Sequence, residues 1–288
     1  MSLKTLLLSI CLVITLTGCD KINIGKNAKE SVQLVFSDKT GQIVINPQFE
    51  QAKQFSEGLA AVMIDRRWGF VDKGGVLVIN NQFGDVYSFS EGLAAARIGD
   101  PYTGKWGFID KRGKIVINPL FDDAASFSEG FAAVHIGGRR GFIDKTGEFV
   151  INPQFNDWIM DGGFSEGLAA ISVDMKWGFI NPKAKIVIEP KFESFEDFSE
   201  GLAAINVGGK WGYVDKQGII IINPKFDYAE PFSEKYAVVR IGDESWFIDK
   251  KGLHAISHKF DGAMSFSEGL AFVIHDNKAG FINKQGEM

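Results

Sequence analysis

The chain alternates between short apolar runs and polar turns, and three kinds of run recur in a fixed order. One set occupies residues 201–205, 210–215 and 220–224, reading Gly-Leu-Ala-Ala-Ile, Lys-Trp-Gly-Tyr-Val-Asp and Ile-Ile-Ile-Asn-Pro. Runs of this length, rich in β-branched and aromatic residues and bounded by Gly, Asn and Pro, are typical of β-strands. The pattern therefore predicts three strands per copy, joined as an antiparallel meander.

The residues between the runs indicate how the strands are connected. Asp215–Gly218 has the pattern Asp-Lys-x-Gly, which fits a type I turn with glycine in the left-handed region. The pair Asn223-Pro224 predicts the end of the third strand, because proline fixes φ and lacks an N–H donor. A connection that carries Phe226 and Phe232 then leads to the next copy.

The first and third strands are apolar on both faces, which predicts that each small sheet packs between its neighbours. Leu59, Ala61 and Met63 alternate with Ala60 and other apolar residues, whereas a free antiparallel sheet shows polar residues on its outer face. The predicted fold is all-β, built of tandem three-stranded antiparallel meanders in a propeller-like ring. An open β-solenoid superhelix is the alternative.

The string Phe-Ser-Glu recurs seven times and sets the register of the copies. The spacing is 34 residues, except for two intervals of 38 and 37. The longer intervals contain the insertions Asp100–Gly104 and Asp157–Gly163. Copies one to seven begin at Phe55, Phe89, Phe127, Phe164, Phe198, Phe232 and Phe266.

The second strand carries a Trp-Gly pair in four copies, at Trp68, Trp106, Trp177 and Trp211. This pattern resembles the WG-containing repeat family of bacterial proteins. The resemblance covers residues 32–288, which we take as one repeat domain, and it implies an interaction or surface role without catalytic residues. Other residues fill the Trp position in copies three, six and seven, and Trp246 fills the Gly position in copy six. The replacements are Arg140, Ser245 and Ala279.

The N-terminus has the features of an export signal. Lys4 supplies positive charge, and Leu6–Leu16 is an apolar run too short to span a bilayer. The run ends in Leu-Thr-Gly-Cys19, which resembles a bacterial lipobox. The resemblance implies a signal peptide at 1–18, an acylated Cys19 that binds membrane lipid, and a lipidated tether at 19–31. We therefore expect a membrane-anchored lipoprotein of the cell envelope that faces the periplasm or the cell surface.

Composition narrows the function classes. A net charge of −5 gives no reason to expect nucleic-acid binding. The sequence contains no hydrolase, nucleotide-binding or metal motif, so we predict a non-enzyme without a cofactor. His254 and His258 are close in sequence. We interpret them as replacements of repeat residues without a function, and a metal-binding pair is the alternative.

Two sets of repeated residues are expected to be structural. The glutamates of Phe-Ser-Glu are predicted to accept backbone N–H groups at their turn or to pair with the lysine before the Trp position, such as Lys105, Lys176 and Lys210. The tryptophans are predicted to lie in the core. If they were exposed in register, they would form a platform for carbohydrate or cell-wall binding, which is the alternative function.

One position varies while its neighbours stay apolar, eight residues after the phenylalanine of Phe-Ser-Glu. It holds Arg97, His135, Asn206 and Arg240 in four copies, and we predict an exposed binding surface because such residues are costly in a core. The alternative is that this position lies at a solvated strand end and varies there without any function. Tyr102 and Trp158 in the insertions are further candidates. The predicted function is a lipid-anchored scaffold for an unknown protein partner.

Overall fold

The computed structural model describes residues 36–37, 43–45, 48–155 and 163–288. The predicted signal peptide, Cys19, the tether and Trp158 lie outside these residues. Every regular element within them is a β-strand. In the same residues, no helix is long and apolar enough to cross a membrane.

The chain divides into two compact units, residues 1–126 and 127–288. The strands of the first unit are β1 (Phe36–Ser37), β2 (Ile43–Ile45), β3 (Gln51–Ser56), β4 (Leu59–Ile64), β5 (Arg67–Asp72), β6 (Leu77–Phe83), β7 (Asp85–Val86), β8 (Leu93–Ile98), β9 (Lys105–Asp110), β10 (Ile115–Phe121) and β11 (Asp123–Ala124). Within this unit, β3 to β6 form one antiparallel sheet in chain order, and β7 to β10 form a second.

The second unit continues the same pattern. Its strands are β12 (Phe131–Ile136), β13 (Arg139–Asp144), β14 (Phe149–Phe155), β15 (Ala169–Val173), β16 (Lys176–Ile180), β17 (Ile186–Phe192), β18 (Ser194–Phe195), β19 (Leu202–Val207), β20 (Lys210–Asp215), β21 (Ile220–Phe226), β22 (Tyr228–Ala229), β23 (Ala237–Ile241), β24 (Glu244–Ile248), β25 (Gly262–Ala263), β26 (Leu270–His275) and β27 (Lys278–Asn283). Consecutive strands pair in antiparallel meanders, such as β18-β19-β20-β21. The predicted all-β fold of tandem antiparallel meanders is therefore confirmed.

The third strand of a regular copy runs through the Asn-Pro pair, so the predicted stop is wrong. In copy two, β10 includes Asn118 and Pro119 and ends at Phe121, which lies opposite Trp106. The register shifts between Ile117 and Phe121, as it does in a β-bulge. Proline is tolerated because β10 is an edge strand of its sheet, where a missing donor breaks no ladder bond.

The connection between copies is not wholly irregular, because it contributes a short strand. Asp85–Val86 pairs with the first long strand of copy two, with Asp85 opposite Arg97 and Val86 opposite Ala96. The short strand is the edge opposite the third strand, so the sheet has four strands rather than the three predicted. A strand of two residues is too short to produce a periodic pattern in sequence.

The Trp-Gly glycine allows the bulged third strand to approach closely. A Cβ atom at Gly107 would lie 2.5 Å from the Ile117 carbonyl oxygen and 2.9 Å from the Pro119 nitrogen. Glycines 69, 141, 178 and 212 meet the same backbone in their copies. The glycine is therefore needed for packing, since only glycine fits so close to another backbone.

The turns follow the sequence in one place and depart from it in another. In the Asp-Lys-x-Gly turn of copy two, the Asp110 carboxylate accepts N–H bonds from Arg112 and Lys114 at 2.9 Å, and Gly113 has a φ of 77°, as predicted. The Phe-Ser-Glu-Gly segment is a turn, as expected, but its geometry as a two-residue hairpin was not predicted. Glu91 and Gly92 have φ values of 53° and 88°, which is typical of a type I′ turn.

Candidate binding surface

In copies one and three to six, two side chains of the Phe-Ser-Glu turn bind the next copy, and we call this pair the Ser-Glu clamp. In copy one, the Ser56 hydroxyl donates to the Phe89 carbonyl at 2.6 Å, and the Glu57 carboxylate accepts the Gly92 N–H at 3.0 Å. The same bonds recur in the second unit, for example from Ser165 to Phe198 at 2.7 Å. The repeated glutamates are therefore structural, as predicted, because they satisfy backbone donors.

The lysine partner of these glutamates differs from the prediction. Glu57 pairs at 3.0 Å with Lys111, which belongs to the Asp-Lys-x-Gly turn of the next copy. Equivalent pairs join residues 166 and 216, 200 and 250, and 234 and 284. The lysines before the Trp position instead contact an acidic residue next to the third strand of their own copy. Those pairs are Lys105–Asp122, Lys176–Glu193 and Lys210–Asp227.

The clamp stabilises the charged form of its glutamates. At Glu200, burial raises the pKa, but hydrogen bonds from the Lys235 amide and the Lys250 ammonium outweigh it. The net result is a pKa below the ordinary value of 4.5. A carboxylate that accepts several donors holds its charge in this way.

The tryptophans are packed in the core, which confirms the prediction for this set. Trp68, Trp106 and Trp211 are buried. Trp177 is partly buried, with its ring centroid 5.0 Å from that of Phe195. Because the Trp-Gly tryptophans are enclosed, they form no exposed platform on which a sugar could stack. This geometry does not support the carbohydrate alternative.

The four variable residues of the first strands have different environments. Arg240 is exposed, with its guanidinium 5.4 Å from the centre of the Tyr228 ring. Asn206 is half-buried and accepts the Gly209 N–H at 3.1 Å. Arg97 is also half-buried. The expected exposure is wrong for His135, which is 3% exposed and lies opposite Arg140 in the neighbouring strand.

Each variable residue lies opposite a second variable residue wherever the short strand is formed. Arg97 lies opposite Asp85, Asn206 opposite Ser194, and Arg240 opposite Tyr228. Sequence reasoning missed these short-strand residues. The available signal was the variation four residues before each phenylalanine of Phe-Ser-Glu. The two positions together form the edge of the sheet that carries the short strand, which we call the inner edge.

The position two residues before the phenylalanine of Phe-Ser-Glu also varies, and three copies carry a charged residue there. In the second unit it holds Glu196 and Glu230, and burial raises the pKa of both carboxyl groups. Glu230 accepts the Ser265 hydroxyl at 2.6 Å, while Tyr213 donates to the Glu230 carbonyl at 2.7 Å. In the first unit the position holds Lys53, whose pKa is lowered by burial. This position thus differs in charge from copy to copy.

The alternative prediction of a metal pair at His254 and His258 can be compared with the described residues. Within residues 48–155 and 163–288, no group of three or more His, Cys, Asp or Glu side chains is placed to hold a metal ion. His254 stacks on Trp246 with ring centroids 4.2 Å apart, and His258 lies 3.5 Å from the Ser257 hydroxyl.

The fold and the inner edge define a repeat scaffold, and comparison with known proteins identifies its family. The WG-containing repeat matches seven times, and the matches cover most of the chain. The chain therefore belongs to the WG-containing repeat family. The matched residues are 36–67, 68–102, 106–139, 141–177, 177–211, 211–244 and 247–278.

One solved structure shares the fold at low sequence identity, and two others are similar to this chain at lower scores. A eukaryotic initiation factor matches with a TM-score of 0.56 and 14% identity, covering 92% of this chain and 76% of that one. Hsv2 of Kluyveromyces marxianus matches at 0.48 and 10%, covering 79% and 89%. BamB of Moraxella catarrhalis matches at 0.44 and 10%, covering 78% and 81%. The all-β class of tandem antiparallel repeats is confirmed, and closure into a propeller-like ring stays a prediction. No curated protein matches the sequence.

Proposed function

We propose that this protein is a non-enzymatic, lipid-anchored scaffold for protein–protein interaction in the cell envelope. The proposal rests on one observation: the positions that the copies share and the positions that vary have different structural roles. Residues that are the same in nearly all copies join consecutive copies or fill the core. Residues that differ from copy to copy gather on the inner edge and in the insertions, where a partner can read them.

The inner edge offers groups suited to a protein partner. Arg240 presents an exposed guanidinium beside the aromatic ring of Tyr228, and Asn206 presents an amide at the same position one copy earlier. Arginine and tyrosine are the residue types enriched where binding energy concentrates in protein interfaces. Asn206 and Arg240 hold equivalent positions in consecutive copies, so one partner can contact both.

The interaction part is tested with two double variants and native crosslinking followed by mass spectrometry. Asn206→Ala with Arg240→Ala removes variable groups of the inner edge. The matched control is Val207→Ala with Ile241→Ala, which changes the next residues of the same strands, 40% and 45% exposed. We expect the first variant to lose a crosslinked partner that the control retains. Equal recovery from both variants would contradict a role for the inner edge.

The lipid anchor is tested separately at Cys19. The wild-type chain should incorporate a radiolabelled fatty acid and sediment with membranes, because acyl chains bind a bilayer by about 0.8 kcal/mol per buried CH₂. Cys19→Ser should abolish both. If the variant stays labelled and membrane-bound, Cys19 is not the site of attachment. Cys11→Ser is the matched control and should leave labelling unchanged.

A further inference from the structure

The insertion in copy two forms an ordered loop. Asp100 begins it, and its carboxylate accepts N–H bonds from Tyr102 and Thr103 at 2.9 Å and the Thr103 hydroxyl at 3.1 Å. The loop closes on itself where the Gly104 N–H donates to the Asp100 carbonyl at 2.9 Å. Hydrogen bonds from the Tyr102 and Thr103 amides hold the pKa of Asp100 below its ordinary value. The loop is therefore held by hydrogen bonds among its own residues.

Two arginines from consecutive copies attach this loop to the scaffold. Arg67 of copy one donates to the Gly99 carbonyl at 2.7 Å. Arg97 of copy two donates to the Pro101 carbonyl at 2.9 Å, with its guanidinium 4.9 Å from the centre of the Trp106 ring. The variable residue Arg97 is thus engaged in holding the loop.

The scaffold is also shaped to receive the loop. A Cβ atom at Gly84 would lie 2.6 Å from the Cα of Pro101, so the loop backbone packs directly on the chain between β6 and β7. A close approach of two backbones requires glycine at that point. The loop is therefore fixed by internal bonds, by two guanidinium groups and by direct packing.

The side chain that this fixed loop presents is a tyrosine. Tyr102 is 87% exposed, although an aromatic side chain gains by burial. Tyrosine is among the residues that contribute most to protein interfaces. Holding the loop in one conformation before binding lowers the entropy lost on association. An exposed aromatic ring on a preorganised loop has the properties of an interface anchor.

We propose that Tyr102 is the anchoring residue of a protein interface, and that its ring enters an apolar pocket of the partner. The pocket has a hydrogen-bond acceptor at its base for the phenol hydroxyl. Arg97 is a positioning residue in this interface, because it acts through the loop. The inference rests on the proposed scaffold function and names its contact surface.

The loop favours a protein over a glycan as the occupant. A sugar that stacks on an aromatic ring also needs nearby polar groups for its hydroxyls. Here the Asp100 Oδ1 atom already accepts the Thr103 hydroxyl and the Tyr102 and Thr103 amides. The tyrosine ring is thus offered for apolar contact, with its own hydroxyl as the polar group at the tip.

The test begins with a photo-crosslinking amino acid in the full chain in its native cell. One chain carries it at position 102. The matched control carries it at position 175, where Met175 is 88% exposed on a hairpin of copy four. We expect one protein to crosslink through position 102 and not through 175, and mass spectrometry identifies it. Equal capture at both positions would show contact by exposure alone and would overturn the inference.

The captured protein is then purified and its affinity is measured for defined variants. Tyr102→Ala should weaken binding about 30-fold or more, as expected for an interface hot spot. Tyr102→Phe should weaken binding less, since it keeps the ring. Arg97→Lys should weaken binding without direct contact, because it loses the forked guanidinium that holds the loop. Thermal unfolding of each variant checks that the fold is retained.

Two further outcomes separate this inference from the scaffold proposal. If Tyr102→Ala binds the captured protein as tightly as wild type, the anchoring role is wrong while a scaffold with another contact surface stands. If soluble cell-wall glycan fragments bind wild type and not Tyr102→Ala, and no protein is captured, both proposals are wrong.

Discussion

Copies two and six differ in the packing of the third strand on the Trp-Gly glycine. In copy two, Gly107 lies under the bulged strand β10. In copy six, Trp246 takes the glycine position, and the sheet contains only β22, β23 and β24. At the edge where a third strand would pair, the chain forms isolated β-bridges that join Ser245 to Phe260 and Ile248 to His254. The regular third strand is thus present where glycine holds this position in copy two and is replaced by isolated bridges where Trp246 holds it in copy six.

The largest effect is expected when the copy-two arrangement is broken. Gly107→Ala should lower the free energy of unfolding by about 2–3 kcal/mol, because the new methyl group overlaps the Ile117 carbonyl and forces the strand away. The measurement is urea unfolding followed by circular dichroism. Gly280→Ala is the control, since this glycine holds the same position in copy seven with nothing within 4 Å of its Cβ. Equal losses for the two variants would contradict the account.

The clamp between copies should give the next effect, and it depends on pH. Because the pKa of Glu200 is lowered in the folded chain, the stabilisation is present at neutral pH. It is lost as the pH falls from the ordinary value of 4.5 through the folded pKa. Glu200→Gln should reduce the unfolding free energy at pH 7 by about 1 kcal/mol and flatten its pH dependence.

Glu244→Gln is a suitable control for this pH series. Glu244 pairs with Lys259 on a more exposed surface, outside the Ser-Glu clamp. We expect a smaller loss of stability for this variant, because exposed ion pairs contribute little. If both variants lose the same stability at pH 7, the clamp has no special role.

The smallest effect should come from the turn of copy four, which departs from the regular glycine. Ala184 has a φ of 58°, whereas Gly218 in the next copy has a φ of 83°. Ala184→Gly should raise the unfolding free energy by about 0.5–1 kcal/mol, because glycine adopts this region without strain. The reverse change, Gly218→Ala, should lower it in the same urea assay. A destabilising Ala184→Gly would contradict this interpretation.

The sequence predicted the parts of the fold that rest on local patterns. The long strands, the Asp-Lys-x-Gly turn and the buried tryptophans follow from alternation, turn chemistry and apolar character. The strand across Asn118-Pro119 could not be predicted, because the bulge depends on the glycine of a neighbouring strand. The short strand was missed because it is held by its partner and has no periodicity of its own.

The candidate site was predicted in part for a similar reason. Comparison of the copies located the variable position of Arg97, Asn206 and Arg240, since variation among identical neighbours is visible in one sequence. It gave no information about what the side chains contact. Arg97 holds the insertion loop, and His135 is buried, and both facts depend on strand pairing and packing across the fold.

The most direct test of the account is hydrogen exchange of the full chain, alone and with the partner captured through position 102. The central claim is that positions shared by the copies build the scaffold while the varying ones bind. It predicts that binding slows exchange in the loop 99–104 and in the short strands of the inner edge, and leaves the third strands β10 and β21 unchanged. Protection confined to the third strands would contradict it.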